Sequence, residues 1–151
     1  MRIAFVRHGE VLDPADFDTG LTLEGHKRAD LLGKRLASSS FKHLFSSRYR
    51  RAMQTAEWIS LRTGLPIKIH DELNEMGYPP GEDTFDKVKV RVVKALRELM
   101  QFYNQDIIIV SHGGPIQAMV TSISSLDGVC GRGEMVIVEA ESELRTGAPQ
   151  G

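Results

Sequence analysis

Two histidines in this chain stand in the same kind of place. His8 lies in Arg7-His8-Gly9-Glu10, directly after the apolar run Ile3–Val6. His112 lies in Ser111-His112-Gly113-Gly114-Pro115, directly after Ile107–Val110. Apolar runs of this length read as buried strands, and in open α/β sheets ligands bind where such strands end. An imidazole there can act as a nucleophile or as an acid–base group. Arg7, beside His8, offers a rigid fork of donors suited to phosphate or carboxylate, and Gly9 allows close approach of backbone and ligand. If two central strands bring His8 and His112 to one sheet edge, with Arg7 and Arg51 beside them, the set suits a phosphoryl dianion. Charge-assisted hydrogen bonds to such a group contribute roughly 1.5–3 kcal/mol each. A neutral His8 nitrogen can then attack phosphorus in line.

Other chemistries fit less well. Two arginines repel a cation, and the chain lacks a clear third metal ligand, so no metal is expected. There is no Gly-x-Ser-x-Gly elbow for a serine triad and no P-loop. The acids Asp13, Asp16 and Asp18 lack the glycine and closing glutamate of a calcium loop. Phosphoryl transfer needs mainly positioning and charge stabilisation, which arginines can supply without a cofactor. A carboxylic acid protonating the leaving oxygen adds a factor of about 10²–10⁴. Glu72, Glu75, Glu82 and Asp83 all stand in the segment 71–83, and spacing leaves all four open.

The elements that must position these groups can be read in order. A loop from Val11 to Gly20, rich in Asp, Pro and Gly, forms a candidate wall of the site. Thr22 caps a helix over 23–37 with Ala29, Leu32 and Leu36 on its inner face and Lys27, Arg28, Lys34 and Arg35 outside. Phe41–Phe45 reads as a second strand. Arg48-Tyr49-Arg50-Arg51 opens a helix ending near Gly64. Arginines oppose the dipole of a first helical turn, a conflict that a bound anion would resolve. Arg48 and Arg50 read as a solvated face, and Arg51 as functional. Ile67–Ile69 alternates as a strand. Asp83 or Thr84 caps a helix over 85–103, with Phe85, Val88, Val92, Ala95, Leu96, Leu99 and Tyr103 as its apolar stripe. Ile107–Val110 is apolar on both faces, as a central parallel strand requires. Pro115 suits the first position of a helix over 116–124. Residues 134–140 read as an edge strand and 142–151 as a frayed tail.

The chain of 151 residues fits one domain, which buries roughly 70% of its unfolded surface. A net charge of −1 gives no global field for nucleic acid or anionic membranes, so anions must be held by local clusters. Cys130 is the only cysteine, which excludes an internal disulfide and a Cys-rich zinc site, and it reads as a small buried residue. The opening apolar run is shorter than the ~7–15 residues of a signal peptide, and nothing approaches the ~20 of a membrane span. Cytoplasm is the expected compartment.

Together, Arg7-His8-Gly9-Glu10, Ser46-Ser47-x-x-x-Arg51-Ala52-x-Gln54-Thr55-Ala56, Leu73-Asn74-Glu75 and Val110-Ser111-His112-Gly113-Gly114 resemble the histidine phosphatase superfamily, the phosphoglycerate mutase-like group. The similarity spans nearly the whole chain, and Leu21-Thr22-Leu23-Glu24-Gly25 looks like the family's first helix start. The resemblance implies a three-layer α/β/α sandwich with a mostly parallel mixed sheet. It makes His8 the phosphorylated nucleophile, Arg7, Arg51 and His112 the phosphate pocket, and Glu75 the proton donor. Asp13 departs from the asparagine many members carry near that place. Glu75 is followed by Met76-Gly77-Tyr78-Pro79-Pro80 in place of Gly-x-Trp-Glu-Gly. The short stretch from Glu75 to His112 is similar to the small phosphohistidine phosphatases, whereas retention of Glu75 points to a phosphate ester. The expected function is a metal-independent phosphomonoesterase acting on a phosphorylated small molecule or phosphoprotein. The alternatives are a phosphohistidine phosphatase, a phosphoglycerate mutase and a non-catalytic phosphate-binding module.

Overall fold

Alternation along the strands decides how the chain folds into layers. In the computed structural model, which describes residues 1–77, 81 and 84–140, β1 (Arg2–Arg7) and β4 (Ile107–Ser111) lie side by side and parallel. Ile3, Phe5, Ile107 and Ile109 point to one face, while Ala4, Val6, Ile108 and Val110 point to the other. All eight are fully buried. At roughly 1.5–3 kcal/mol for each large apolar side chain removed from water, a pair apolar on both faces is stable only with helices on both sides.

Those helices are present. α1 (Leu23–Ala37) and α2 (Arg50–Thr63) cover the second face through Leu32, Leu36, Ala52, Ala56 and Ile59. α3 (Phe85–Tyr103) and α4 (Gly113–Ile123) cover the first through Val88, Val92, Leu96, Ile116, Met119 and Val120. The sheet is completed by β2 (His43–Ser46), β3 (Ile67–Ile69) and β5 (Met135–Glu139) in the order β3-β2-β4-β1-β5. Only β5 runs antiparallel. This is the expected α/β/α sandwich. Among the described residues no helix is long and apolar enough to cross a membrane.

Several local readings shift. β2 starts at His43, two residues later than expected, leaving Phe41 buried just outside it. Phe85 is 42% exposed, so it does not belong to the buried stripe. α4 starts at Gly113 with His112 as its N-cap, which makes Pro115 the third helical residue. That position still lacks an intrahelical acceptor for its N–H, so proline is tolerated there. The loop after β3 contains a 3₁₀ turn at Asp71–Leu73. The 142–151 tail, Glu82 and Asp83 lie outside the described residues.

The helix ends follow local chemistry. Gly64 closes α2 and Asn104 closes α3, both in the left-handed region. Thr84 caps α3 by accepting from Lys87 N–H. Thr22 Oγ1 accepts from Gly25 N–H at 3.0 Å, and Thr22 N–H donates to the Glu10 carbonyl at 3.0 Å. The same residue thus starts α1 and ties it to the segment after His8. Thr22→Ala is expected to lower unfolding free energy by about 1 kcal/mol, read as a reduced urea midpoint at unchanged m-value.

Candidate active site at the strand ends

Strand register places the two histidines together. Arg7 of β1 pairs with Ser111 of β4, so His8 and His112 leave the sheet at the same level. β2 is in step on the other side of β4, with Ser46 opposite Val110, which brings Ser47 alongside. The helices that follow β1 and β4 lie on opposite faces, and such a divergence opens a crevice at the strand ends. The imidazoles meet there edge to face, with centroids 5.3 Å apart.

Both rings are buried, His8 at 5% exposure and His112 at 0%. Burial lowers His8 from 6.5 to about 4, with the Arg51, Arg7 and Arg132 charges pushing the same way. Burial also holds His112 well below the ordinary histidine value, helped by His8, Arg51 and Arg7. His8 Nδ1 lies 2.9 Å from the Gly9 carbonyl. A carbonyl only accepts, so Nδ1 carries the proton and Nε2 keeps its lone pair. Arg51 Nε donates to that Nε2 at 3.2 Å. His112 Nε2 lies 2.8 Å from Ser47 Oγ, which itself accepts from Tyr49 N–H at 3.2 Å. The Ser47 hydroxyl proton is then free to go to His112 Nε2, leaving the His112 proton on Nδ1.

The arginines are held by backbone and aromatic contacts. Arg7 Nη1 donates to the Cys130 carbonyl at 3.1 Å, and Cys130 is buried as expected. The Arg7 guanidinium lies over Gly113, where a Cβ would stand 3.0 Å from Cζ, so a side chain there would press on it. Arg51 stacks on the Tyr49 ring at 4.7 Å and donates from Nη1 to the Phe17 carbonyl at 3.1 Å. That contact brings the 11–20 loop to the site, as expected of its wall. Burial lowers the Arg51 value, while Glu75 and Tyr49 oppose the shift. Among the described residues Arg7 Nε and His112 Nδ1 are buried with no hydrogen-bond partner. Unpaired buried donors cost about 1–3 kcal/mol each, and an anion between the histidines and arginines would satisfy them. The first two residues of α4, Gly113 and Gly114, add the N-terminal end of a helix.

Glu75 is half-buried and sits beside the start of α4, its Oε1 3.8 Å from the point a Gly114 Cβ would occupy. Its segment is clamped. Ser111 Oγ donates to the Leu73 carbonyl at 2.6 Å, Arg91 donates to the Glu72 and Asn74 carbonyls, and Asn74 Oδ1 accepts from Arg48 N–H at 2.8 Å. Glu72 is exposed and lies 3.7 Å from His70.

Sequence reasoning gave no role to Ser47, Asn74, Arg91 or Arg132. For Ser47 the available signal is its place one step beyond β2, in register with the histidine strands. Gln54 also gains a role, since its Oε1 accepts from Leu21 N–H at 2.7 Å and anchors the loop. Gly9 packs closely on α1, where a Cβ would stand 3.0 Å from Gly25 Cα. Asp13 turns its carboxylate to Ala15 N–H, and Arg48 and Arg50 pair with Asp71 and Asp18 at 2.7 and 3.1 Å.

Comparison with known proteins gives the class. The family model of the histidine phosphatase superfamily (branch 1) matches residues 3–80 and 77–129, and the chain belongs to that family. It is 27% identical to the uncharacterized phosphatase PhoE of Bacillus subtilis, over 83% of this chain and 78% of that protein. It is 26% identical to the adenosylcobalamin/alpha-ribazole phosphatase of Escherichia coli, over 82% and 79%. Its fold matches the mycobacterial glucosyl-3-phosphoglycerate phosphatase in complex with VO3, with a TM-score of 0.81, 20% identity, and coverage of 96% and 94%.

A histidine buried in its neutral form makes stability depend on pH. The unfolded chain binds a proton near 6.5 and the folded one only near 4, so the unfolded state holds more protons between these values. The penalty is absent above about 6.5 and grows as pH falls through 4, reaching on the order of 3 kcal/mol for His8. His112 acts in the same direction. Denaturant midpoints are expected to fall steadily from pH 7 to 4, while ¹⁵N shifts of the His8 ring stay those of the neutral Nδ1–H tautomer down to pH 5.

Proposed function

We propose that the protein is a metal-independent phosphatase that hydrolyses a phosphomonoester through a phosphohistidine on His8. The observation that carries this reading is the state of the His8 ring. Its Nδ1 proton is committed to the Gly9 carbonyl, and its Nε2 lone pair faces Arg51 at 3.2 Å.

In the first step Nε2 attacks phosphorus, the P–N bond forms and the ester P–O bond breaks. The leaving oxygen takes a proton from Glu75 in its acid form. The Gly9 carbonyl offsets the positive charge that the ring gains. Arg7, Arg51 and the Nδ1–H of His112 bind the non-bridging oxygens, where their charge is most valuable as the transition state spreads its own. In the second step a water attacks phosphorus, its proton returns to the Glu75 carboxylate, the P–N bond breaks and inorganic phosphate leaves. The low proton affinity of His8 keeps the nucleophile unprotonated across the physiological range. Two guanidiniums beside two neutral imidazoles favour an anion over a metal ion.

Hydrolysis of an alkyl phosphate under excess chelator tests this reading. Activity should persist with chelator and fall by at least about 10³-fold in His8→Ala. Glu75→Gln should slow an alkyl phosphate by about 10²–10⁴ and a nitrophenyl phosphate much less, because that leaving group departs without a proton. Equal, small effects on both esters would remove Glu75 from the mechanism. Loss of activity on chelation alone would overturn the central assignment.

A further inference from the structure

Among the described residues the His112 ring makes one hydrogen bond, and its partner is held on every side. The ring is fully buried and lies edge to face with His8, at 5.3 Å, and with Tyr49, at 5.0 Å. Its Nδ1 has no hydrogen-bond partner, and its Nε2 meets Ser47 Oγ at 2.8 Å. Ser47 is fully buried as well. Its N–H donates to the Val110 carbonyl at 3.0 Å, one step beyond the Ser46–Val110 pair of the β2–β4 ladder. Its carbonyl accepts from Ser46 Oγ at 2.9 Å. The main chain of Ser47 is therefore fixed, and only its hydroxyl proton has a direction left to choose.

That direction is imposed by the next hydrogen bond back. The Tyr49 N–H can only donate, and it reaches Ser47 Oγ at 3.2 Å. Among the described residues the one acceptor within hydrogen-bond distance of the hydroxyl proton is His112 Nε2. A proton on Nε2 would turn two N–H groups toward Oγ and leave the buried hydroxyl without an acceptor, at the cost of a lost hydrogen bond. It would also strip Nδ1 of its proton, so that the ring could no longer donate to an anion from that nitrogen. The string from the Tyr49 amide through Ser47 to His112 thus has a polarity.

We propose that Ser47 is a positioning residue for the phosphoryl pocket: with the Tyr49 amide behind it, its hydroxyl fixes the Nδ1–H tautomer of His112, so that this imidazole offers a proton to the bound anion. The inference rests on His112 being a phosphate-binding group, and adds to that reading a residue that does not touch the substrate. Without the hydroxyl, the Nδ1 lone pair would meet the anion for part of the time. The loss would extend to any phosphoryl oxyanion, whatever its leaving group.

Ring ¹⁵N spectra and calorimetry with inorganic phosphate test this. In the native spectrum His112 should be neutral with Nδ1 protonated, and Ser47→Ala should move it to the Nε2-protonated form or a mixture of the two. Phosphate should bind Ser47→Ala roughly ten-fold more weakly, and Ser47→Thr, which keeps the hydroxyl, should recover most of that loss. In a His112→Ala background the same Ser47→Ala replacement should cost nothing further, since its route through the ring is gone. An Nε2-protonated His112 in the native spectrum would overturn the proposal even if a variant failed to fold. So would an unchanged tautomer in Ser47→Ala, or a full penalty in the absence of His112. No phosphate binding by the native protein would remove the pocket and the part of Ser47 in it. Phosphate binding without hydrolysis of any ester would count against the phosphatase reading alone.

Discussion

Two guanidiniums and two imidazoles share one buried corner, and they can do so only because both imidazoles stay neutral. A charged histidine there would add a third cation to Arg7 and Arg51 in a place water does not reach, at a cost that grows steeply as the local dielectric falls. The fold enforces neutrality by burying both rings and by engaging one nitrogen of each: His8 Nδ1 donates to the Gly9 carbonyl, and His112 Nε2 faces Ser47 Oγ. The same constraint that makes the corner tolerable to the folded chain leaves a lone pair on His8. Stability and reactivity here have a single physical cause.

The rest of the structure follows from keeping that corner in register. β1, β2 and β4 end in step, so one level of the sheet supplies His8, Ser47 and His112. A slip of one residue in either ladder would turn one of these side chains to the opposite face. The all-buried β4 guards against that, since each alternate position already fills a different apolar layer. Around the edge, short polar clamps fix what the sheet cannot. Ser111, Arg91 and Asn74 set the Glu75 segment, and the 131–134 turn binds the backbone of Arg7 and His8.

How much of this can be read from sequence depends on the range of the interaction. The strand runs, the α1 and α3 boundaries and the paired histidines are legible because local periodicity and adjacent residue types encode them. The choice of Glu75 among four acids is not local, and only the resemblance carried by Leu73-Asn74-Glu75 pointed to it. The packing of Gly9 on Gly25 is not legible, because nothing in Arg7-His8-Gly9 signals a contact sixteen positions on. Arg132 was invisible for a similar reason. It sits between two glycines in a segment without periodicity, and its place near His8 arises only when β5 returns antiparallel to β1 and ties that turn to the backbone of Arg7 and His8.

That return bears on specificity. The corner formed by His8, His112, Arg7 and Arg51 presents the same groups to any phosphomonoester, so selection among such ligands would come from whatever surrounds it. In this chain the surroundings are asymmetric. On the α2 side the arginines beyond Arg51 are already paired, Arg48 to Asp71 and Arg50 to Asp18, and attracting an anion there would mean breaking an existing pair. On the α1 side, among the described residues, no carboxylate lies within ion-pair distance of Arg132. The two flanks of the corner therefore differ in charge: paired arginines on the α2 side, and on the α1 side an exposed Arg132 with no carboxylate within ion-pair distance among the described residues.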